Sequence, residues 1–244
     1  MEDGNLCKEC ASKLSPWFSE RRHSTVAEIR EQLAYREENK KKVEEFNVTR
    51  SIGKYYMVYL DEDARRFLVS SSKNFRDSNP DVLDFSQVTG CDLDIDESKT
   101  EEKRKDKDGN MVSYNPPRYS YSYNFYIDLR VNHPWFDEMR FRLNSSSVDI
   151  EPSARAGAAG GLTATILNAA MNAMDSNTMN AEYRQYVEMG REIKNTLLQI
   201  RQDERDSAAA ANAPKTAVTC PHCGASTIPD GNGCCEYCGG AVNV

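Results

Sequence analysis

The first regular hydrophobic pattern of the chain runs from Thr25 to Phe46 and predicts a helix. Apolar side chains such as Ile29 and Leu33 recur at helical spacing and therefore share one face. The helix is expected to begin at Thr25, because Thr25 and Glu28 have the spacing of a capping box. The run 37–42 near its end is almost wholly charged, which is typical of a solvated helix surface.

From Lys54 the hydrophobic period changes to two residues, which is the period of β-strands. Strands are predicted at Tyr55–Leu60, Arg65–Ser70, Val82–Val88, Cys91–Ile95, Tyr119–Leu129, Met139–Leu143 and Val148–Ile150. Alternation is strictest from Tyr119 to Leu129, so one face of that strand is expected to be buried. The charged stretch Glu101–Asn110 contains Asp108 and Gly109 and predicts a long exposed hairpin loop.

A second helix is predicted from Glu182 to Arg201. Its apolar side chains form one stripe from Tyr183 to Ile200, with charged residues opposite. A stripe of this length must cover a sheet or another helix. Antiparallel strands followed by one long amphipathic helix resemble a pleckstrin-homology-type (PH-like) barrel, in which such a helix plugs one open end.

Two Cys-x-x-Cys motifs near the C-terminus have the spacing of a metal site. Cys220 and Cys223 form the first motif, and Cys235 and Cys238 form the second. Each motif lets two thiolates reach one ion, and the glycine after each frees backbone N–H groups to donate hydrogen bonds to sulfur. Zn²⁺ is the expected metal, with iron or disulfides as alternatives. Four protein ligands would make the site closed and structural rather than catalytic.

Two neighbours of these cysteines bear on the ligand set. Cys234 adjoins Cys235 and could in principle replace it, although the two-residue spacing to Cys238 favours Cys235. His222 lies inside the first motif and cannot easily face the same ion as its neighbours. It is therefore expected to be exposed.

A third Cys-x-x-Cys motif, Cys7 and Cys10, has no second pair nearby and supplies two of four metal ligands. The other two could come from an upstream pair or from the same pair of a second subunit. Otherwise the two thiols stay reduced. Thioredoxin-like redox chemistry is less favoured, because the pair follows no strand of a βαβ unit. The lone Cys91 lies in a predicted strand and is expected to be a small buried hydrophobe.

These patterns predict an α+β fold in four parts. Residues 1–46 form an N-terminal Cys-x-x-Cys and helical segment, and residues 47–203 form an antiparallel PH-like β-barrel capped by the long C-terminal helix. The barrel domain carries an insertion near 154–180. Residues 204–217 lack large apolar side chains and contain a proline, so they are expected to be a linker. Residues 218–244 form a small zinc ribbon.

Composition narrows the functional classes. The formal net charge of the 244-residue chain is −7, which gives no strong basic field for nucleic acid. No apolar run is long enough to span a membrane, and the first residues lack a signal pattern, so a cytoplasmic protein is expected. The three histidines are scattered, and no nucleophile, base and pocket can be assembled from the sequence. An enzyme is therefore not expected.

Two further patterns are open to more than one interpretation. Asp92, Asp94 and Asp96 imitate the start of a calcium loop, but Glu97 and Lys103 occupy the positions of the required glycine and glutamate. Strand alternation explains them better. The segment Leu162–Met174 could form a short helix that packs on the body, mediates self-association or contacts a membrane.

Several segments together resemble a known bacterial family. The runs Asp3–Cys10, Leu14–Phe18 and Ser24–Val26 are similar to the domain of unknown function 4428, and Asn79–Val88 and Glu182–Tyr186 resemble central parts of the same proteins. The resemblance implies an N-terminal zinc domain and a C-terminal zinc ribbon. It also implies a Cys-x-x-Cys pair before Cys7 that this sequence does not contain, so we expect a truncated N-terminal zinc domain.

The favoured function is a non-enzymatic adaptor that binds another protein through a tethered zinc ribbon. Nucleic-acid binding by the ribbon is disfavoured, because no lysine or arginine lies between Cys220 and Val244. Membrane association is a further alternative, and a homo-oligomer is compatible with the sequence.

Overall fold

The computed structural model describes residues 3–150, 181–212, 217–230 and 233–242. The chain divides into two compact units, Met1–Gln202 and Asp203–Val244. The first unit holds two antiparallel sheets and their helices, and the second holds the C-terminal cysteine motifs. The expected α+β class is confirmed.

Three short or medium helical segments precede the first strand: α1 (Lys8–Lys13), a 3₁₀ turn (Glu20–Arg22) and α2 (Val26–Glu45). Helix α2 begins where the sequence predicts. The Glu28 N–H donates to Thr25 Oγ1 at 3.3 Å, and the Thr25 N–H donates to the Glu28 carboxylate at 2.7 Å. This reciprocal pair satisfies two N–H groups that the first helical turn leaves without partners.

The first sheet contains β1 (Arg50–Gly53), β2 (Met57–Asp61), β3 (Arg66–Ser70) and β4 (Val82–Asp84), in the order β1-β2-β3-β4. The short helix α3 (Phe75–Ser78) connects β3 to β4. One face of the sheet lies in the main core. The other face packs under α2 and α3, in a cluster of Val43, Phe46, Tyr59, Leu68, Phe75 and Val82. Burial of both faces explains why β2 and β3 carry consecutive apolar residues instead of an alternating pattern.

The second sheet contains β5 (Val88–Lys105), β6 (Met111–His133), β7 (Phe136–Arg142) and β8 (Val148–Ile150). Strand β6 lies at its centre, paired with β5 on one side and with β7 and β8 on the other. The expected long exposed loop over Glu101–Asn110 is wrong for its first half. Strand β5 continues to Lys105 and pairs with β6, with a register shift between Glu102 and Lys103, because the charged side chains stand out from a ribbon that solvent reaches on both faces.

A long helix, α4 (Ala181–Asn212), covers the second sheet with the stripe expected from the sequence. Its Tyr183 and Tyr186 rings pack on the Phe125 ring at centroid distances of 5.1 and 5.4 Å. Gly190 lies so close to Leu93 that a Cβ there would meet its Cδ1 at 2.5 Å. The residues of this core from both sheets and α4 include Leu60, Phe67, Leu83, Phe125, Ile127, Leu129, Met139, Phe141, Ile193 and Leu197.

The expected closed barrel is wrong, because the two sheets are not closed. Within the described residues no strand pair joins the β1–β4 sheet to the β5–β8 sheet. Alternation of apolar residues shows which face of a strand is buried, but closure depends on which edge strands meet. The likeness to a PH-like domain therefore stays a prediction.

Helix α4 also extends into the predicted linker 204–217, since it ends at Asn212. The run Ala208–Ala211 favours this extension, because alanine has the highest intrinsic helix propensity. At the other end of the chain, residues 3–46 belong to the same compact unit as the sheets. The predicted insertion near 154–180, with its segment Leu162–Met174, lies outside the described residues. No described helix has the length and apolar character needed to cross a bilayer.

Candidate metal centre

Two short hairpins of the second unit present the four predicted cysteines. The strands β9 (Val218–Thr219) and β10 (Ser226–Thr227) pair on either side of the first motif. Around Cys220, the Cys220 N–H donates to the Ala225 carbonyl at 2.9 Å, and the Gly224 N–H donates to the Cys220 carbonyl at 2.9 Å. Gly224 has a φ of +69°, a conformation that glycine adopts without strain.

The second motif repeats this geometry. The Cys235 N–H donates to the Gly240 carbonyl at 2.9 Å, and the Gly239 N–H donates to the Cys235 carbonyl at 2.8 Å. Gly239 again has a φ of +69°. In both motifs the N–H two residues after the first cysteine, that of His222 or Tyr237, lies 3.4 Å from the cysteine Sγ. The two motifs are therefore copies of one knuckle, each built to stabilise charge on sulfur.

The four sulfurs converge on one point. Cys220 Sγ lies 3.6 Å from Cys238 Sγ, and Cys223 Sγ lies 3.8 Å from Cys235 Sγ, so each close pair joins one knuckle to the other. All four sulfurs lie within 4.8 Å of one another. Four sulfurs bound tetrahedrally to an ion at about 2.3 Å would be about 3.8 Å apart. The arrangement therefore fits a metal ion with four thiolate ligands.

The electrostatics of the cluster also favour a cation. Burial acts to raise the pKa of Cys235, but the N–H groups of Cys238 and Tyr237, together with hydrogen bonds from the Cys220 and Cys223 thiols, lower the pKa to about 6. For Cys238, the Gly240 N–H acts to lower the pKa, yet the surrounding sulfurs, Cys223 foremost, raise it to about 12. One thiolate thus forms readily and the last thiol resists ionisation. A bound cation would supply the positive charge that four adjacent thiolates require.

The described part of the second unit has a very small apolar core. Cys220 and Cys235 are themselves buried, together with Val242, and Val218 packs against them. Cys223 and Cys238 are exposed. Since the ligands form most of this core, a metal at their centre would supply much of the energy that holds the unit together.

Cys234 and His222, which adjoin the four cysteines, lie where the sequence spacing predicts. Cys235, and not Cys234, belongs to the four-sulfur cluster. Cys234 instead pairs with Ala241 in an isolated β-bridge, and its N–H donates to Asp230 Oδ1 at 2.8 Å. His222 is exposed, as expected, and its ring lies over Gly240, where a Cβ would meet the ring at 2.6 Å. None of the eight cysteines forms a disulfide.

Cys7 and Cys10 lie at the N-terminus of α1, where Cys7 is the N-cap. The Cys10 N–H donates to Cys7 Sγ at 3.2 Å, and this bond lowers the pKa of the Cys7 thiol. Contact with Cys7 raises the pKa of Cys10. Within the described residues no third or fourth ligand joins this pair, so metal binding there stays a prediction.

The remaining sequence candidates have structural roles. Cys91 is buried in β5 as expected, and burial raises the pKa of its thiol to about 12. The carboxylates Asp92 and Asp94 lie along one face of β5 and form ion pairs with Arg130 and Arg140 at 2.7 and 2.6 Å. They belong to a strand, as alternation predicted, and not to a calcium loop.

One polar cluster was not predicted from the sequence. Asp81 is buried, and its carboxylate accepts hydrogen bonds from Ser15 Oγ at 2.7 Å, Tyr35 OH at 3.1 Å and Arg36 Nη1 at 2.8 Å. Asn39 donates to the Pro80 carbonyl at 2.7 Å and accepts from Val82 N. The only signal available was that segments around Ser15 and Asp81 both belong to the family resemblance.

Comparison with known proteins finds a family match for one segment of the chain. Residues 1–32 match the family model described as Domain of unknown function (DUF4428). The resemblance drawn from the sequence is thus confirmed for this segment, and bacterial origin stays a prediction. No curated protein and no solved structure matches the chain.

Proposed function

We propose that this chain is a non-enzymatic zinc-binding interaction protein. One structural Zn²⁺ would be held by Cys220, Cys223, Cys235 and Cys238. The observation that carries the proposal is the convergence of four sulfurs at 3.6 and 3.8 Å across two matching knuckles. A tetrahedral set of four thiolates is a donor set that suits Zn²⁺.

A zinc ion in this site would organise the protein rather than carry out a reaction. Four cysteines take all four positions of a tetrahedral ion and leave none for water or substrate. The described core of the unit is limited to the buried ligands, Val242 and Val218. Zinc binding would therefore be coupled to folding of the second unit. Reduced thiols of this kind suit the cytoplasm, where we place the protein.

The second unit offers side chains for a protein partner. Tyr237, in the second knuckle, is 73% exposed, and Ile228 after β10 is also exposed. An aromatic side chain held on a rigid turn loses little entropy on binding, and tyrosine is enriched at protein interfaces. The sequence from Cys220 to Val244 has no lysine or arginine, which disfavours binding to a phosphate backbone.

Metal content is the first test. The purified full-length protein is expected to hold about one zinc per chain by elemental analysis. A Cys220→Ser/Cys238→Ser variant should hold none, while Cys91→Ser should match the wild type, because Cys91 lies in the sheet of the first unit. Absence of zinc from the wild type, or retention by the double variant, would contradict the metal assignment.

Partner binding is tested separately with Tyr237→Ala. This substitution removes a side chain that no ligand sulfur needs, so zinc content should not change. Proteins that co-purify in stoichiometric amounts with the wild type should be lost with Tyr237→Ala and with the double cysteine variant. Equal recovery with all three proteins would show that the second unit does not bind the partner.

A further inference from the structure

The hairpin of β5 and β6 extends beyond the rest of its sheet. The last residue pair with a third strand is Tyr121 with Ile150 of β8, at a point where Tyr121 also faces Lys99. From there to the turn at 106–110, the hairpin is a two-stranded ribbon among the described residues. Six residues of β5 at about 3.3 Å each give a projection of roughly 20 Å. We call residues 99–121 the ribbon.

The outer part of the ribbon is cationic, although the chain as a whole is anionic. Between residues 103 and 118 there are five lysines or arginines and two aspartates, whereas the chain has a formal net charge of −7. Lys103, Lys105 and Lys107 are exposed and, within the described residues, form no ion pair. Since the screening length in physiological salt is about 8 Å, the local charge of the ribbon dominates at its tip.

Cations occupy both faces of the tip, together with an exposed apolar side chain. Lys105 and Met111 are register partners and therefore share a face, which also carries Lys103. The opposite face carries Arg104 beside Val112. Met111 is 58% exposed.

The ribbon is poorly suited to stacking on nucleic-acid bases and to pairing with another strand. The Tyr114 ring is stacked by Arg118 at 4.6 Å and flanked by Arg104 at 5.8 Å, and Lys99 lies 3.9 Å from the Tyr119 ring centroid. A cation therefore lies over each of these two rings, which disfavours stacking on nucleic-acid bases. Pro116 and Pro117, which lack N–H groups, interrupt the outer edge of β6 and oppose pairing with another strand.

We propose that the ribbon tip binds the surface of an anionic membrane, with Lys103, Lys105 and Lys107 at lipid phosphates and Met111 in the headgroup boundary. Cations on both faces around an apolar side chain suit end-on contact with a headgroup layer. A phosphate backbone would satisfy the lysines but would leave Met111 in water. This surface is independent of the metal centre, because it lies in the other compact unit.

Sedimentation of the full-length protein with lipid vesicles tests the proposal. Binding is expected to phosphatidylcholine vesicles that contain phosphatidylglycerol, to weaken with added salt, and to be absent with pure phosphatidylcholine. The variant Lys103→Gln/Lys105→Gln should bind about 25-fold more weakly, since each lysine near an anionic surface contributes about fivefold. Met111→Ser should bind more weakly as well, without any change in net charge.

The matched control is Lys41→Gln/Lys73→Gln, which removes two exposed charges from α2 and from the connection between β3 and α3. It should bind vesicles like the wild type, and all variants should show the wild-type melting temperature. The proposal is overturned if the wild type fails to sediment, or if the control loses as much binding as the ribbon variant. Ribbon-dependent binding to duplex DNA in place of vesicles would equally overturn it.

Discussion

Arg36 of α2 and Asp81 beside β4 form a buried ion pair, with Nη1 and Oδ1 2.8 Å apart and side chains that are 5% and 0% exposed. The guanidinium also donates to the Lys13 carbonyl at 3.1 Å and to the Asn79 carbonyl. The carboxylate also accepts from Ser15. This ion pair therefore connects the N-terminal segment, α2 and the residues just before β4. The polar atoms of both side chains have hydrogen-bond partners.

Removal of one member of this pair should destabilise the first unit strongly. Arg36→Met leaves Asp81 buried without its cation, and such a change costs about 3–5 kcal/mol. Asp81→Asn retains the size of the side chain but removes the charge, and should also destabilise. The free energy of unfolding in urea, followed by circular dichroism, measures both effects.

An exposed ion pair provides the comparison. Arg130 and Asp92 are about half exposed, and Arg130→Met should cost no more than about 1 kcal/mol. If Arg36→Met were as mild as Arg130→Met, the buried pair would not hold the N-terminal segment in place.

His133 should make stability depend on pH. Burial lowers the pKa of His133 below its ordinary value of 6.5, although Asp81 acts in the opposite direction. The Trp135 N–H donates to His133 Nδ1 at 3.3 Å, and Tyr35 OH lies 3.1 Å from Nε2. The contact with Trp135 requires an unprotonated Nδ1, so the folded state resists protonation.

The direction of the pH effect on stability follows from the lowered pKa of His133. The unfolded chain takes up a proton on His133 as the pH falls through 6.5, while the folded chain does so only at lower pH. The contribution of His133 to the free energy of unfolding is therefore complete above pH 6.5 and decreases as the pH falls below 6.5. His133→Gln should flatten the melting temperature between neutral and mildly acidic pH, whereas His23→Gln on the exposed 3₁₀ cap should leave the slope unchanged. An unchanged slope in His133→Gln would assign the pH dependence to other groups.

The close approach of α4 to β5 depends on Gly190. A Cβ at this position would meet Leu93 Cδ1 at 2.5 Å and Cδ2 at 3.1 Å. Gly190→Val should therefore force the helix and strand apart, at a cost of about 1–3 kcal/mol. Denaturant unfolding measures the loss.

The double variant Gly190→Val/Leu93→Ala isolates the contact. If the clash with Leu93 causes the loss, the double variant should be more stable than the sum of the two single changes implies. Simple additivity would show that the clash with Leu93 is not the cause, and helix propensity could not explain the loss either, because valine has a higher helix propensity than glycine.

Features that depend on neighbouring residues in the chain were predictable from the sequence. The capping box at Thr25 and Glu28, the stripe that begins at Tyr183, and the knuckles around Cys220 and Cys235 each follow from short spacings with one physical solution. These local rules located the start of α2 and the four cysteines of the candidate metal centre.

Features that depend on distant residues were not predictable. Arg36 and Asp81 are 45 residues apart, and no local rule distinguishes a buried arginine from a solvated one. Asn39, within the run 37–42 that the sequence predicts to be solvated surface, is fully buried because its amide bonds the backbone at Pro80 and Val82. Likewise, alternation could not show that the sheet edges stay apart, since edge pairing is a property of the whole topology.

The neighbouring thiols Cys234 and Cys235 can show whether zinc binding depends on the knuckle geometry or only on a thiol close to the ion. Cys235 Sγ lies 3.8 Å from Cys223 Sγ, and the Tyr237 N–H stabilises charge on it, whereas Cys234 is a bridge residue outside the cluster. Cys235→Ser should therefore lose zinc when dialysed against a chelator, while Cys234→Ser should retain it. Elemental analysis after dialysis measures the difference. If Cys234 could replace its neighbour through a one-residue shift, Cys235→Ser would keep its zinc, and only the variant lacking both thiols would lose it.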